Sequence, residues 1–430
     1  MTGKRILVVG AGFAGLNAAM GMRALSRAGH EITVVNAESF MQYQPFLPEV
    51  ASGTIDPRAV VVPLRSVLRH CRLEVGEVER LDHDRRVALV RLADGSERSL
   101  AYDIVVLAPG STSRVLPIPG LAEHGIGFKT VEEAIFLRNR VLSQLDVAAT
   151  TEEPKRRRAA LTFVFVGGGY AGVEALGELE DLAHDAMRAY DGLDPREMRW
   201  ILADVAPTIL PELGHDLAAY ATRLLRERGI DVRTATGLAS YDGREVRLSD
   251  GSSFAADTLV WTAGVRPSTL ARRSGLPVDE AGRVPTDEML RAVGVDDVWA
   301  AGDAASVPDR TTGGRMPPTA QHGLRQGRRL ARNLTAWLDG GRLEPFVYRN
   351  IGAVCSLGRY QGVASVMGIR LRGFPAWFAH RSYHLYAMPT WSRRAKIAAD
   401  WTVALLFPRD LAQLGSLQHP RAPFERAARE

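Results

Sequence analysis

The sequence predicts an α/β fold with a duplicated plan, and three observations carry that expectation. An apolar run enters a glycine-rich turn at ILVVGAGFAGLNAAM, residues 6–20. The arrangement recurs at FVFVGGGYAGVE, residues 163–174. Far downstream of each turn comes another apolar run ending in glycine, YDIVVLAPG at 102–110 and ADTLVWTAG at 256–264, with Gly10 and Gly110 separated by 100 positions and Gly167 and Gly264 by 97.

Ile6–Val9 is apolar throughout, as a parallel strand buried on both faces must be. The opening MTGKRILVVGAG is read as that strand rather than as a leader, because the apolar run breaks at the glycine turn. Gly10 makes the turn, Gly12 lets backbone N–H groups approach a pyrophosphate, and Gly15 lets the following helix close on the strand. The helix start then offers unpaired N–H groups and a partial positive charge to phosphates. EITVVNA, from residue 31, is the next strand and carries Asn36, an uncharged residue that does not identify a ligand. Gly167, Gly169 and Gly172 repeat the cradle after Leu161–Val166, and RWILADVA brings Asp204 to the end of the corresponding strand. A carboxylate there accepts from both hydroxyls of an adenosine ribose and repels a 2′-phosphate, favouring NADH over NADPH; a turn-capping acid would look the same. Gly110 and Gly264 close the third strand of each copy. VWAAGDAA, 298–305, runs a further strand into Gly302 and Asp303. Asp303 is expected at a helix start, either bonding a ribityl hydroxyl while the helix dipole faces a diphosphate or acting as an ordinary N-cap.

A chain of 430 residues, 46% hydrophobic and 24% charged, has room for two or three domains with a proper core. The net charge is +5, but from Gly340 onward 13 Arg/Lys face 5 Asp/Glu, so this end carries +8 and the remainder is slightly acidic. Cys71 and Cys355 are the only cysteines and share no metal or dithiol spacing, which argues against a disulfide framework, a zinc site and a dithiol redox centre, and suits a reducing cytoplasm. No metal is expected. No stretch of eighteen apolar residues occurs, so no spanning helix is expected.

Taken together, these motifs resemble the two-dinucleotide-binding-domain flavoprotein superfamily, which implies FAD on the first unit and a nicotinamide nucleotide on a second unit inserted in the first. Within it the chain is similar to the type II NADH dehydrogenases, on four stretches: QYQPFLPEVASG (42–53), GGGYAGVE (167–174), PPTAQHGLRQG (317–327) and AVCSLGRYQGVA (353–364). The resemblance implies two Rossmann-like dinucleotide-binding domains, for FAD and NADH, plus a C-terminal membrane-associating segment. The expected division is 1–118 and 276–340 for FAD, 119–275 for NADH, and 341–430 for membrane association or dimerisation.

The same resemblance places the segment with Pro45 beside the flavin and Glu174 where nicotinamide and flavin meet, tuning charge or relaying a proton; a helix-dipole role for Glu174 stays open. Its quinone-side motif, Ala-Gln-x-Ala-x-Gln, is matched by Ala320 and Gln321, with Gly323 for the second Ala and Arg325 for the second Gln. The cation of Arg325 can polarise a quinone carbonyl, whereas a plain polar helix start under Pro317 and Pro318 is the competing reading. The tail, 370–409, holds three of the seven Trp with Arg370, Arg372, Arg381, Arg393, Arg394, Lys396 and Arg409. Aromatics and cations without spanning length describe a segment resting in lipid headgroups, with a homodimer interface as the alternative and nucleic acid remote. The implied activity is non-pumping electron transfer from NADH to a membrane quinone at the inner face of the cell membrane, facing the cytoplasm. Rivals are a soluble reductase for a ferredoxin- or rubredoxin-type protein, and a flavin-bound redox sensor.

Overall fold

A computed structural model describes residues 3–348, 351–413 and 427. The chain forms two compact units: Met1–Gln42, Val61–Thr112 and Val265–Asn350 make the first, and Tyr43–Val60, Ser113–Gly264 and Ile351–Glu430 the second. The long middle block of the second unit thus interrupts the first. Within the expected C-terminal region 341–430, residues up to 348 stay with the first unit and 351–413 belong to the second, while most of 414–430 lies outside the described residues.

The first unit is built on a seven-stranded sheet in the order Val298–Ala300, Ile104–Leu107, Arg5–Val9, Glu31–Asn36, Arg72–Asp82, Val87–Leu92, Glu97–Ala101. The first five strands run parallel and the last two antiparallel. Ile6 pairs with Ile32 on one side and Ile104 on the other, and Val8 with Val34 and Val106. A strand covered on both edges and both faces has no place for polar side chains, hence the unbroken apolar run. Consecutive strands diverge to opposite sides of Arg5–Val9, so the loop leaving its C-terminal end opens at a topological switch point, where open α/β sheets bind ligands. Helix Phe13–Gly21 lies against helix Ala320–Leu338 through small residues: a Cβ on Gly327 would overlap the carbonyl oxygen of Ala14, and one on Gly21 would come within 2.6 Å of the Ala331 methyl.

The second unit repeats the plan with five parallel strands, Ile126–Gly127, Thr258–Trp261, Thr162–Val166, Arg199–Ala203 and Asp231–Arg233. Val164, Val166, Ile201 and Trp261 pack with Leu238, Tyr241, Val246 and Leu248 of a small antiparallel sheet. Helix Val131–Thr150 opens with a reciprocal capping box between Thr130 and Glu133. A three-stranded antiparallel sheet (Gly352–Ser356, Gly362–Val366, Ile369–Arg372) and helices Phe374–Ala387 and Trp391–Leu406 complete the unit. No helix among the described residues is long and apolar enough to cross a membrane.

Candidate functional site

Backbone geometry accounts for each glycine of the first cradle. Gly10 adopts φ +87°, and a Cβ on Gly15 would overlap the Gly10 carbonyl oxygen, so the strand, turn and helix close only without side chains. Gly12 differs, since a Cβ there meets nothing within 4 Å. That open face belongs to the start of helix Phe13–Gly21, which carries no side-chain cap. The Asn36 side-chain oxygen accepts from the Ala11 N–H at 2.8 Å while its amide donates to the Glu38 carbonyl at 2.7 Å, tying strand end to glycine loop. Gly110 lies in the left-handed region at φ +72°, with open space beside it.

In the second cradle every feature has a twin. Gly167 is at φ +121°, Gly172 has no room for a Cβ against the Gly167 carbonyl, Gly169 faces open space, and helix Tyr170–Met187 starts without a side-chain cap. Asp204 holds the loop where Asn36 does in the first copy, its carboxylate accepting from the Gly168 N–H and, at 2.6 Å, from Ala206 N–H. Its carboxylate therefore caps the loop, the turn-capping role that the sequence left open beside ribose binding. Gly264 is again left-handed, at φ +96°. Two uncapped helix starts with a side-chain-free approach fit two dinucleotide diphosphates.

Asp303 departs from expectation in one respect. The expected helix is a single 3-10 turn, Gly302–Ala304, followed by the short strand Ala305–Ser306. A turn this short has almost no macrodipole, so any pull on a diphosphate from this side comes from hydrogen bonds. Gly302 at φ +74° donates to the Gln326 side chain at 2.7 Å, and Asp303 accepts from the Ser111 hydroxyl at 2.5 Å.

Thr319, not the Pro317–Pro318 pair, caps helix Ala320–Leu338, accepting from the His322 N–H. Ala320 and Gln321 open that helix, and Gln321 is held from two sides. Its side-chain oxygen accepts from the Tyr348 hydroxyl at 2.9 Å, and Arg325 donates to its carbonyl at 3.1 Å. The Arg325 guanidinium lies 5.3 Å from the Tyr348 ring centre, and the His322 ring lies 4.0 Å from the same ring. Burial, reinforced by Arg325, pulls His322 down to about 4, leaving a neutral ring at pH 7. Gly323 is not forced by packing: a Cβ would meet Phe13 at 3.5 Å, an ordinary contact.

Glu174, in the second unit, is buried and lies beyond the first helical turn, which removes the helix-dipole account. It accepts from the Ser356 N–H at 3.0 Å and meets His380 Nε2 at 3.0 Å. Two of the other buried carboxylates of the same unit face cations of the tail. Glu49 pairs with Arg381 at 2.9 Å and accepts from the Trp401 indole at 2.6 Å; Glu178 accepts from Ser52 at 3.0 Å, with Arg409 at 3.9 Å. Arg381 and Arg409 are thereby turned inward, so the tail offers fewer cations outside than its sequence suggests. Pro45 is the middle residue of the 3-10 turn Gln44–Phe46, which leads into Leu47–Ala51 and Glu49. Sequence reasoning missed Glu49, Tyr348, His380 and His384; an acid inside the apolar run FLPEVA was the one available signal.

Three comparisons bear on this arrangement. Residues 4–327 match the family described as pyridine nucleotide-disulphide oxidoreductase. The chain is 31% identical over 420 residues to the type II NADH:quinone oxidoreductase Ndh of Mycobacterium tuberculosis, covering 94% of this chain and 89% of that one. It is 30% identical to the type II NADH:quinone oxidoreductase of Staphylococcus aureus, covering 87% and 92%. The fold superposes on NDH2 of Plasmodium falciparum, solved in complex with NADH, with TM-score 0.89 at 16% identity over 95% of this chain and 99% of that one. Twin cradles, matching family and matching relatives converge: the chain belongs to the pyridine nucleotide-disulphide oxidoreductase family and, within it, to the type II NADH:quinone oxidoreductases.

Proposed function

We propose that the protein transfers two electrons from NADH to a quinone while resting on a membrane surface. The single observation that carries this reading is the pair of glycine cradles with equivalent latches, one nucleotide site per unit. FAD, when bound, supplies the redox chemistry, taking hydride from NADH and passing electrons on. The protein binds, orients and polarises. Loop N–H groups at Gly12 and Gly169 would hold the diphosphates, with Asn36 and Asp204 keeping the loops in shape. Asp303, which already accepts from the Ser111 hydroxyl, would accept from a ribityl hydroxyl with its remaining lone pairs. Asp204 adds negative charge where a 2′-phosphate would lie, favouring NADH over NADPH.

For the acceptor, Gln321 and Arg325 are the proposed quinone contacts. Arg325 bonds Gln321 through Nη1, and a guanidinium carries further N–H donors for a quinone carbonyl. Replacing Arg325 by Gln is expected to raise the quinone KM by roughly tenfold, the worth of one hydrogen bond to a charged group. Bleaching of the flavin by NADH in the absence of quinone should not change. Quinone kinetics unchanged from the parent in both Arg325→Gln and Gln321→Ala would place the acceptor elsewhere. The activity itself is read from the visible spectrum, which NADH should bleach and a soluble quinone restore.

Membrane docking is assigned to the C-terminal helices. Phe374, Phe378, Tyr386, Trp391, Val403, Leu405, Leu406 and Phe407 are exposed, an unusual concentration on two consecutive helices and the residue that ends the second. Arg393, Arg394 and Lys396 accompany them on the second helix. Replacing Trp391, Leu406 and Phe407 together by Ser should abolish flotation with vesicles containing phosphatidylglycerol, since each such side chain withdrawn from water contributes about 2 kcal/mol. A triple variant that floats like the parent but loses self-association would assign the face to a homodimer instead.

A further inference from the structure

The chain leaving helix Ala320–Leu338 doubles back along it without regular secondary structure, yet it is firmly fastened. The buried Asn333 side chain donates to the Glu344 carbonyl at 2.8 Å and accepts from the Glu344 N–H at 3.0 Å, and Arg329 pairs with the Glu344 carboxylate. Two residues on, the Phe346 N–H donates to the Glu288 carbonyl at 2.7 Å and the Phe346 side chain is buried. Tyr348 then reaches the first turns of the helix. The lengths agree: the helix from Arg325 to Asn333 rises about 12 Å, and extended chain from Glu344 to Tyr348 spans about 13 Å.

A tyrosine kept only to fill space presents its ring to apolar neighbours. Tyr348 is half-buried and meets three polar side chains at the start of the helix. Its hydroxyl donates to Gln321 Oε1 at 2.9 Å, its ring centre lies 4.0 Å from that of His322, and the Arg325 guanidinium lies 5.3 Å from the same ring centre. Arg325 Nη1 also approaches Gln321 Oε1, at 3.5 Å. These donors fix which end of the Gln321 amide is oxygen. The nitrogen end, with two N–H donors, is the one suited to a carbonyl oxygen. On the other side of the ring contact, burial keeps His322 neutral, so it adds no charge to repel Arg325 from the ring they share.

We propose that Tyr348 is a positioning residue of the quinone site: its hydroxyl sets the Gln321 amide so that an N–H meets a quinone carbonyl, and its ring holds the Arg325 guanidinium alongside. The proposal rests on the reading of Gln321 and Arg325 as the quinone contacts. Tyr348 itself touches no substrate. One side chain from the returning segment aligns two donors that stand a helical turn apart, and donors held in place beforehand need not be ordered when the quinone arrives.

The test is a double-mutant cycle on the FAD-loaded protein, read through steady-state kinetics with a soluble quinone. Tyr348→Phe keeps the ring against His322 and Arg325 and removes only the hydroxyl. The quinone KM should rise about fivefold, the worth of one neutral hydrogen bond, while kcat, flavin absorbance and bleaching by NADH alone stay at parent values. In a Gln321→Ala background the same substitution should change KM by less than about twofold, because the group it positions is gone. A tyrosine with a purely structural role gives the opposite pattern. Equal fold-changes in the two backgrounds, slower bleaching by NADH, or a parent-like KM in Tyr348→Phe each overturn the proposal. Tyr348→Leu removes the ring as well and should add about a further threefold, an increment that vanishes in an Arg325→Gln background; an increment that persists there overturns the role given to the ring. Should the Leu variant fail to fold, the Phe cycle decides alone. If Gln321→Ala and Arg325→Gln themselves leave quinone kinetics at the parent level, the acceptor reading fails, a result reached without any Tyr348 variant and so distinct from the others.

Discussion

Gly172→Ala should yield a yellow protein that NADH no longer bleaches. The Cβ would overlap the carbonyl oxygen of Gly167 and come within 2.5 Å of the Thr262 hydroxyl, so the helix start must move away from the strand it abuts. Backbone N–H groups aimed at a diphosphate lose their convergence when that helix shifts. An error of about 1 Å in positioning reactants costs on the order of 100-fold in rate, so the NADH half-reaction should fall by at least that much. The first cradle, the proposed FAD site, is untouched, and bound flavin absorbance should stay at the parent level. Gly15→Ala is the mirror experiment. There the clash is with the Gly10 carbonyl and the Ala108 methyl, and the expected product is a colourless protein that still binds NADH, detected by quenching of tryptophan fluorescence. If both substitutions removed flavin, or neither did, the assignment of one dinucleotide to each cradle would be wrong.

That experiment exploits what the sequence displays most openly. Glycines at Gly10, Gly15, Gly167 and Gly172 report local backbone demands, and local demands are written in contiguous residues. The strands were equally legible, because a parallel strand covered on both faces must be apolar from end to end. The latches were not. Asn36 and Asp204 end their strands as expected, but that each caps its own glycine loop depends on where the loop folds back, and a ribose-binding acid and a loop-capping acid read alike. Asp303 shows the opposite failure: a Gly-Asp pair after a strand suggests a helix, and the chain instead turns once and resumes as a strand. Thr319 carried an N-cap signal overshadowed by the prolines before it.

Least legible of all was the buried charge. Glu49 meets Trp401 across 352 positions and Glu174 is linked to Ser356 across 182. Pairings over such separations follow from tertiary packing, which no spacing rule reaches. The tail's cations illustrate the cost: counted along the chain, all seven suit a lipid surface, yet Arg381 and Arg409 serve buried carboxylates.

Arg381→Met is expected to destabilise the protein by about 3–5 kcal/mol, the usual consequence of leaving one partner of a buried ion pair alone. Glu49 is 2% exposed, and Arg381, itself stacked over Trp377 at 4.1 Å and Trp401 at 4.8 Å, is its principal counter-charge. Burial already raises the Glu49 pKa despite Arg381, and removing the guanidinium raises it further. The sign of the pH dependence follows. A carboxyl that holds its proton longer in the folded state than in the unfolded one costs nothing below its unfolded value, near 4, and becomes increasingly costly as pH rises above it. The Tm gap between parent and Arg381→Met should therefore be widest at neutral to alkaline pH and close as pH falls towards 4. Glu49→Gln in the same background removes the stranded charge and keeps an acceptor for the Trp401 indole, so the double variant should recover most of the loss. A gap that stayed constant across pH, or a double variant no more stable than Arg381→Met, would mean that the guanidinium contributes through packing on the two indoles rather than through the buried carboxylate.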